Sequence, residues 1–199
     1  MMLVEQAAVP GAALPVAELK AHLRLGSGFA DDTFQDALLE GYLRAAIAAV
    51  EGRTAKMLVT RRFLWTLEDW RDRDAQALPC APVADVISVS LVDGAGTVTT
   101  VDPSRYRLVQ DTHRPKLAAK GLLLPMVPDG GRAEVVFDAG FGAWAGVPKD
   151  LGQAVFLLAA EYYEARHEAG LREGGGFPAA VNALISRWRT VRVLGGGQS

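Results

Sequence analysis

Residues 148 to 166, PKDLGQAVFLLAAEYYEAR, form a helical stretch that is apolar on nearly every side. Pro148 suits a first turn, where its missing N–H is not needed, and Asp150 complements the positive end of the helix dipole. Leu151, Val155, Leu158 and Tyr162 make one stripe, while Phe156, Ala160 and Tyr163 occupy the other side. A helix apolar all round has to be buried all round, so the rest of the chain, or further chains, must cover it. The residues leading into it, DAGFGAWAG (138 to 146), read as a strand exit: Gly140, Gly142 and Gly146 allow a tight turn into the helix.

Helical periodicity also marks the front of the chain. After Pro15, the residues Val16, Leu19, His22 and Leu23 recur at helical spacing until Gly26, giving a short first helix. Asp31 or Asp32 can cap a longer second one. There Phe34, Leu38, Tyr42, Ala45 and Ala49 line one stripe, and Leu39, Leu43, Ala46, Ile47 and Val50 line its neighbour. Asp36, Glu40 and Arg44 leave only a narrow polar stripe, with Glu40 and Arg44 paired at i,i+4. A fourth helix is expected from Pro178 to about Arg189.

From Val59 the period changes to two. RRFLWTLEDW places Phe63, Trp65 and Leu67 on one face and Arg62, Thr66 and Glu68 on the other, as in a half-buried strand. VISVSLVDGAGTVTTV reads as a hairpin turning at Asp93 to Gly96, with Ile87, Val89 and Leu91 on one side. RYRLV (105 to 109), PKLAA (115 to 119) and AEVVFDA (133 to 139) complete the set, and the Pro- and Gly-punctuated segment 121 to 132 is a loop. The expected fold class is α+β: a helical bundle of about four helices with an inserted small, mainly antiparallel β-sheet. Its expected parts are an N-terminal helical part (1–58), an inserted β-rich part (59–141), a C-terminal helical part (142–186) packing with the N-terminal helices, and a C-terminal arm (187–199).

Several function classes are excluded by what is missing. A formal charge of −2, from 21 Lys plus Arg against 23 Asp plus Glu, provides no electrostatic footprint for general nucleic-acid binding. The N-terminus has no basic residue before Lys20, so it lacks the basic region of a secretory signal. The longest apolar run, Ala154 to Ala160, is far short of the ~20 residues of a membrane span, and no membrane partner is expected. One cysteine, Cys80, excludes an internal disulfide or a cysteine-based metal cluster. His22, His113 and His167 fall on different elements, none with a metal-ligand partner at i+3 or i+4. The glycines at 140 to 146 do not match GxGxxG, and no serine sits in GxSxG. No metal, cofactor or catalytic residue is expected. Glu161, Glu164 and His167 share helical spacing, but a ferritin-like site needs a second such helix, which the sequence lacks.

What remains is surplus apolar surface and an unusual tail. The surplus fits either a symmetric oligomer or close packing of alanine-rich helices within one subunit. After Glu173 there is no acidic residue, while Arg187, Arg189 and Arg192 alternate with Trp188, Val191 and Val193. Arg and Trp are enriched where surfaces meet partners, so this segment reads as a docking arm, against the alternative of a frayed end.

Taken in order and spacing, VAELKAHLRL, DDTFQDALLEGYLRAAIAAVEGRTAKMLVTRRFLWTLEDW, LPCAPVADVISVSLVDGAG and DAGFGAWAGVPKDLGQAVFLLAAEYYEAR resemble the head-tail connector (adaptor) proteins of long-tailed bacteriophages and of gene transfer agents. The resemblance spans roughly residues 14 to 167. It implies a structural protein without catalytic activity, made in the bacterial cytoplasm and placed in the neck between capsid and tail. Such relatives form a homo-oligomeric ring, usually a dodecamer, beneath the portal protein. The ring prolongs the channel for duplex DNA without sequence-specific binding and offers a platform to a stopper or tail-side protein. Carried onto this chain, the portal-binding arm is Arg187, Trp188, Arg189, Val191, Arg192, Val193 and Leu194. The subunit interface is Leu38, Tyr42, Ala45, Ala49, Phe156, Ala160 and Tyr163. Two rival readings are a tail-completion protein at another joint of the particle and an enzyme with a site around Tyr163, Glu164 and His167.

Overall fold

A computed structural model describes residues 1–25, 33–165 and 176–189. Along the chain come β1 (Met2–Glu5), α1 (Val16–His22), α2 (Thr33–Thr54), β2 (Arg61–Leu67), β3 (Ala75–Ala77), β4 (Val83–Val92) and β5 (Val98–Thr100). They are followed by β6 (Tyr106–Val109), β7 (Lys116–Ala119), β8 (Arg132–Ala139), α3 (Lys149–Glu164) and α4 (Ala179–Ile185), which ends in a 3-10 turn over Ser186–Trp188. The expected α+β class and the four helices are present.

The expected small antiparallel β-part is present and is divided between two sheets. There are two antiparallel sheets, one of five strands in the order β1-β2-β8-β4-β5 and one of three in the order β3-β7-β6. Two strands have no counterpart in the sequence expectation. β1 is four residues exposed along its whole length and β3 has three residues, so neither shows a readable alternation. β1 also means that the N-terminal part is not purely helical: it contributes a strand to the large sheet, pairing Leu3 with Trp65.

The alternation elsewhere is obeyed closely. Phe63, Trp65 and Leu67 of β2 are buried, as are Ala133, Val135, Phe137 and Ala139 of β8. With Val89, Tyr106 and Leu117 they form a core shared by both sheets, in which Phe63 and Phe137 stack at 5.8 Å. The hairpin turn forms as expected: Asp93 Oδ1 accepts from the N–H of Ala95 (2.9 Å) and of Thr97 (2.8 Å). In β4 the expected common face of Ile87, Val89 and Leu91 is broken. The register shifts between Val86 and Ser88, so Ile87 is the extra residue of a bulge and stands 41% exposed while Val89 is fully buried.

A second core belongs to the helices. Leu39, Leu43, Ala46, Ile47 and Val50 of α2 pack with Leu151, Ala154, Val155, Leu158 and Ala159 of α3, together with Leu19 of α1 and Val181 and Ile185 of α4. The helix that is apolar all round is therefore covered largely within its own chain, by α1, α2 and α4. Among the described residues no helix is long and apolar enough to cross a membrane.

The two cores meet where β8 leaves the sheet. Gly140 sits at φ +140°, and a Cβ there would lie 2.4 Å from the backbone of Thr60. Gly142, at φ +101°, donates its N–H to Thr60 Oγ1 (2.8 Å) and accepts from Thr60 N–H (2.8 Å). Both positions need glycine, one for close approach and both for a backbone that side chains disfavour.

Candidate assembly surfaces

An ion triple fastens the helices to the large sheet. Glu51, on the last turns of α2, accepts from the backbone N–H of Leu58 (2.8 Å) and from Arg61 Nη1 (2.9 Å) and Nη2 (2.6 Å). Arg61 Nε lies 2.9 Å from Glu5 Oε2 on β1, and its guanidinium stands over the Phe63 ring at 5.2 Å. Burial disfavours the Arg61 charge, but the hydrogen bonds and charges of Glu51 and then Glu5 outweigh it, so its pKa is raised. These groups line a small cleft with Arg44, which is itself bonded to Glu40 and to the carbonyl of Val9 (2.8 Å). The cleft's charged side chains are thus occupied with one another. Sequence reasoning missed the triple, because its members lie far apart in the chain and none is unusual locally.

No catalytic constellation is assembled among the described residues, and no three His, Cys, Asp or Glu side chains are grouped to hold a metal ion. His22 stacks on Phe156 (5.8 Å) and His113 leans on Trp188 (6.3 Å); His167 lies outside the described residues. Of its supposed neighbours, Glu164 is exposed and Tyr163 meets Tyr42 edge-on at 6.2 Å. Burial pushes the Cys80 thiol up to about 12, leaving it protonated and inert. Burial also lowers the pKa of Lys56, whose Nζ reaches the Thr54 carbonyl at 3.5 Å.

The expected subunit-interface residues separate into two groups. Phe156 is already packed between His22 and Trp144 (5.5 Å), Tyr163 lies against Tyr42, and Ala160 is half-buried. All three are half-buried, so this side of α3 is partly packed within the chain and partly open. On α2, by contrast, Leu38 is 40% exposed, Ala45 is exposed, and Tyr42 and Ala49 are half-buried. Together they make an apolar stripe open to solvent.

The root of the expected arm is also placed. Trp188 Nε1 donates to Asp150 Oδ2 (2.7 Å), and Arg187 Nε lies 2.7 Å from the same oxygen with its guanidinium over the indole at 4.8 Å. The indole meets Phe141 edge-on at 5.7 Å. Partial burial raises the pKa of Asp150, but the bonds from Trp188, Arg187 and the Leu151 N–H together prevail and hold its carboxyl below the usual range. Trp188 is therefore held half-buried against the start of α3, while Arg187 is bonded to Asp150 with its side chain largely exposed and Arg189 is exposed as well. Val191, Arg192, Val193 and Leu194 lie outside the described residues. The sequence marks Asp150 only as a helix-dipole partner; its second use as the anchor of Trp188 is a tertiary contact with no local signal.

No sequence-family profile and no curated protein matches the chain. Solved structures do. A chain in the neck of an empty gene transfer agent particle, computed with C6 symmetry, is 59% identical over 98% of this chain and 99% of its own, with a TM-score of 0.89. A chain in the virion of a native gene transfer agent particle is 58% identical over the same shares, with a TM-score of 0.86. A third, in the neck of a native particle computed with C12 symmetry, is 55% identical over 98% of this chain and 99% of its own, with a TM-score of 0.84.

Proposed function

Because this chain belongs to the family of gene transfer agent neck proteins, structural components of the virion, we propose that it is the adaptor ring of such a neck. Twelve copies assemble beneath the portal protein, prolong the channel through which duplex DNA passes, and present a platform to the stopper or tail-side protein. The single observation that carries this reading is the 59% identity, over nearly the full length of both chains, to a chain of a particle neck. Two features support it. The related necks were computed with C6 and C12 symmetry, which fits a ring of twelve. A net charge of −2 suits a conduit, since a strongly basic lumen would hold the duplex by its phosphates.

In this reading the chain carries out no catalysis. The open stripe of α2 (Leu38, Tyr42, Ala45, Ala49) contributes to contacts between neighbours. The C-terminal arm grips the portal, with Trp188 and the exposed, Asp150-bound Arg187 as its root, Arg189 as the next exposed residue, and Val191 to Leu194 as its reach.

Co-sedimentation of the purified chain with assembled portal rings, followed by negative-stain imaging, tests the proposal. A ring of density added at the narrow end of the portal is the expected result. Absence of binding at every salt concentration, with binding to tail-tube protein instead, assigns the chain to the tail-side joint.

A further inference from the structure

The large sheet ends on two short strands whose outer edges have no strand partner among the described residues. In β1 the Gln6 N–H bonds the Arg62 carbonyl (2.9 Å), so by the alternation of an antiparallel ladder Val4 and Met2 also face β2. The N–H and C=O groups of Leu3 and Glu5 then point to the free edge. At the other end, the Val101 N–H bonds the Val89 carbonyl (2.8 Å) and the Asp93 N–H bonds the Thr97 carbonyl (3.0 Å). Thr97, Thr99 and Val101 thus face β4, leaving Val98 and Thr100 to point outward.

Soluble proteins blunt such edges by keeping them very short or with lysine, proline, inward charges or bulges. Both edges here are short, at four and three residues, but neither carries lysine, proline or a bulge. β1 reads MLVE, and its one charge is tied to Arg61; β5 reads VTT, and the bulges of β4 lie away from the stretch that pairs with β5. Four apolar side chains flanking the edges are exposed, Met2 58%, Leu3 38%, Val4 39% and Val98 60%, beside the exposed Glu5, Thr99 and Thr100. The outer face of the same sheet, by contrast, carries ion pairs, Arg62 with Asp138 (2.8 Å) and Arg132 with Glu134 (2.7 Å).

We propose that the sheet continues from subunit to subunit, the free edge of β1 in one copy pairing with the free edge of β5 in its neighbour. The occupant follows from symmetry. A cyclic ring joins two different faces of each copy, and opposite edges of one sheet are such a pair, whereas a twofold dimer would pair β1 with β1 and leave β5 open. Five antiparallel strands give β1 and β5 the same direction, so rotation about an axis along the strands sets them side by side, in parallel, without turning a subunit over. Every copy in a closed ring then has both edges covered. The inference rests on the ring reading above.

The test uses particles assembled with the full chain carrying Leu3→Cys and Thr99→Cys, treated with a short bismaleimide and run on a denaturing gel. Cys80 is 4% exposed and stays silent. A ladder of covalent multimers from the double variant, with monomer alone from each single variant, is expected. Monomer alone from the double variant, in particles that contain it, overturns the pairing, and dimers from Leu3→Cys alone replace it with a twofold contact. Absence of the unaltered chain from purified particles defeats the ring reading itself. A second variant, Val98→Pro, removes an outward N–H without touching the β4 ladder. It is expected to fold and melt as the parent does while its incorporation into particles is lost; undiminished incorporation overturns the proposal.

Discussion

The indole N–H of Trp188 is 2.7 Å from Oδ2 of Asp150, joining the last described turn of the chain to the first turn of α3 across 38 positions. Trp188 is half-buried against Phe141 and His113, so this is packing as well as a hydrogen bond. It divides the tail into a fixed root and whatever follows Arg189.

Truncation separates the two. A chain ending at Arg189 keeps the root and is expected to unfold in urea at the same midpoint as the parent, while failing to co-sediment with portal rings. A chain ending at Ser186 loses Trp188 as well. The expected additional cost is about 2 kcal/mol, roughly half that of removing a fully buried Trp. The sequence reading assigns residues 187–199 to a docking arm; an unchanged midpoint for the shorter chain would show that Trp188 adds nothing to the core.

Acid should release the root. The Asp150 carboxyl is held below its ordinary value of 3.8 in the folded chain, because ionised it accepts from Trp188 and Arg187. A depressed carboxylate contributes stability that is fully present above the unfolded value and lost as pH falls through the lower folded value. The contribution therefore begins to fade near pH 4 and is gone below the folded pKa, with no change between pH 6 and 8 from this group. Urea midpoints measured from pH 7 to pH 3 should fall less steeply for Asp150→Asn than for the parent. Parallel curves would show that the Asp150 contact adds nothing in solution.

Two glycines should respond oppositely to alanine. At Gly140 the backbone is at φ +140° and the new Cβ meets Thr60 main chain at 2.4 Å, so Gly140→Ala is expected to destabilise by about 3 kcal/mol. At Gly152, inside α3, the new Cβ reaches only Trp144 Cζ2 at 3.6 Å, an ordinary contact. Gly152→Ala should stabilise by up to about 1 kcal/mol through helix propensity. Thermal melts of the two variants check both signs.

The pattern of what is legible follows from the range of the signals. Periodicity finds all four helices, the buried face of β2 and the strand β8, because Leu39–Val50, Phe63–Leu67 and Ala133–Ala139 each repeat their own rule within a few residues. It cannot find β1, whose MLVE has no period and whose partner β2 lies some sixty positions away. Nor can it find the bulge at Ile87, which exists only relative to β8. The apolar excess of α3 is legible as a demand for burial. Which groups meet that demand is not, since the covering side chains of α1, α2 and α4 come together only in the folded chain. The same limit hides Glu5–Arg61–Glu51 and the anchor at Asp150, both assembled from distant residues.

The stripe of α2 is where subunit contact can be separated from folding. Leu38, Tyr42, Ala45 and Ala49 follow one another at helical spacing, and Leu38 and Ala45 are the two the chain leaves exposed. Leu38→Glu and Ala45→Glu place a charge where the isolated chain has solvent, so each should change monomer stability by no more than about 0.5 kcal/mol. Buried against a neighbour the same carboxylate would be desolvated without a partner, which opposes assembly far more strongly than the loss of one apolar contact. Ala37→Glu serves as the charge control: Ala37 is exposed too, but one position along the helix turns it about 100° away from the stripe. The expected outcome is unchanged melting for all three variants and loss of the first two, but not the third, from purified particles. Retention of Leu38→Glu and Ala45→Glu at parental levels would remove this stripe from the interface and leave contact between copies to the sheet edges.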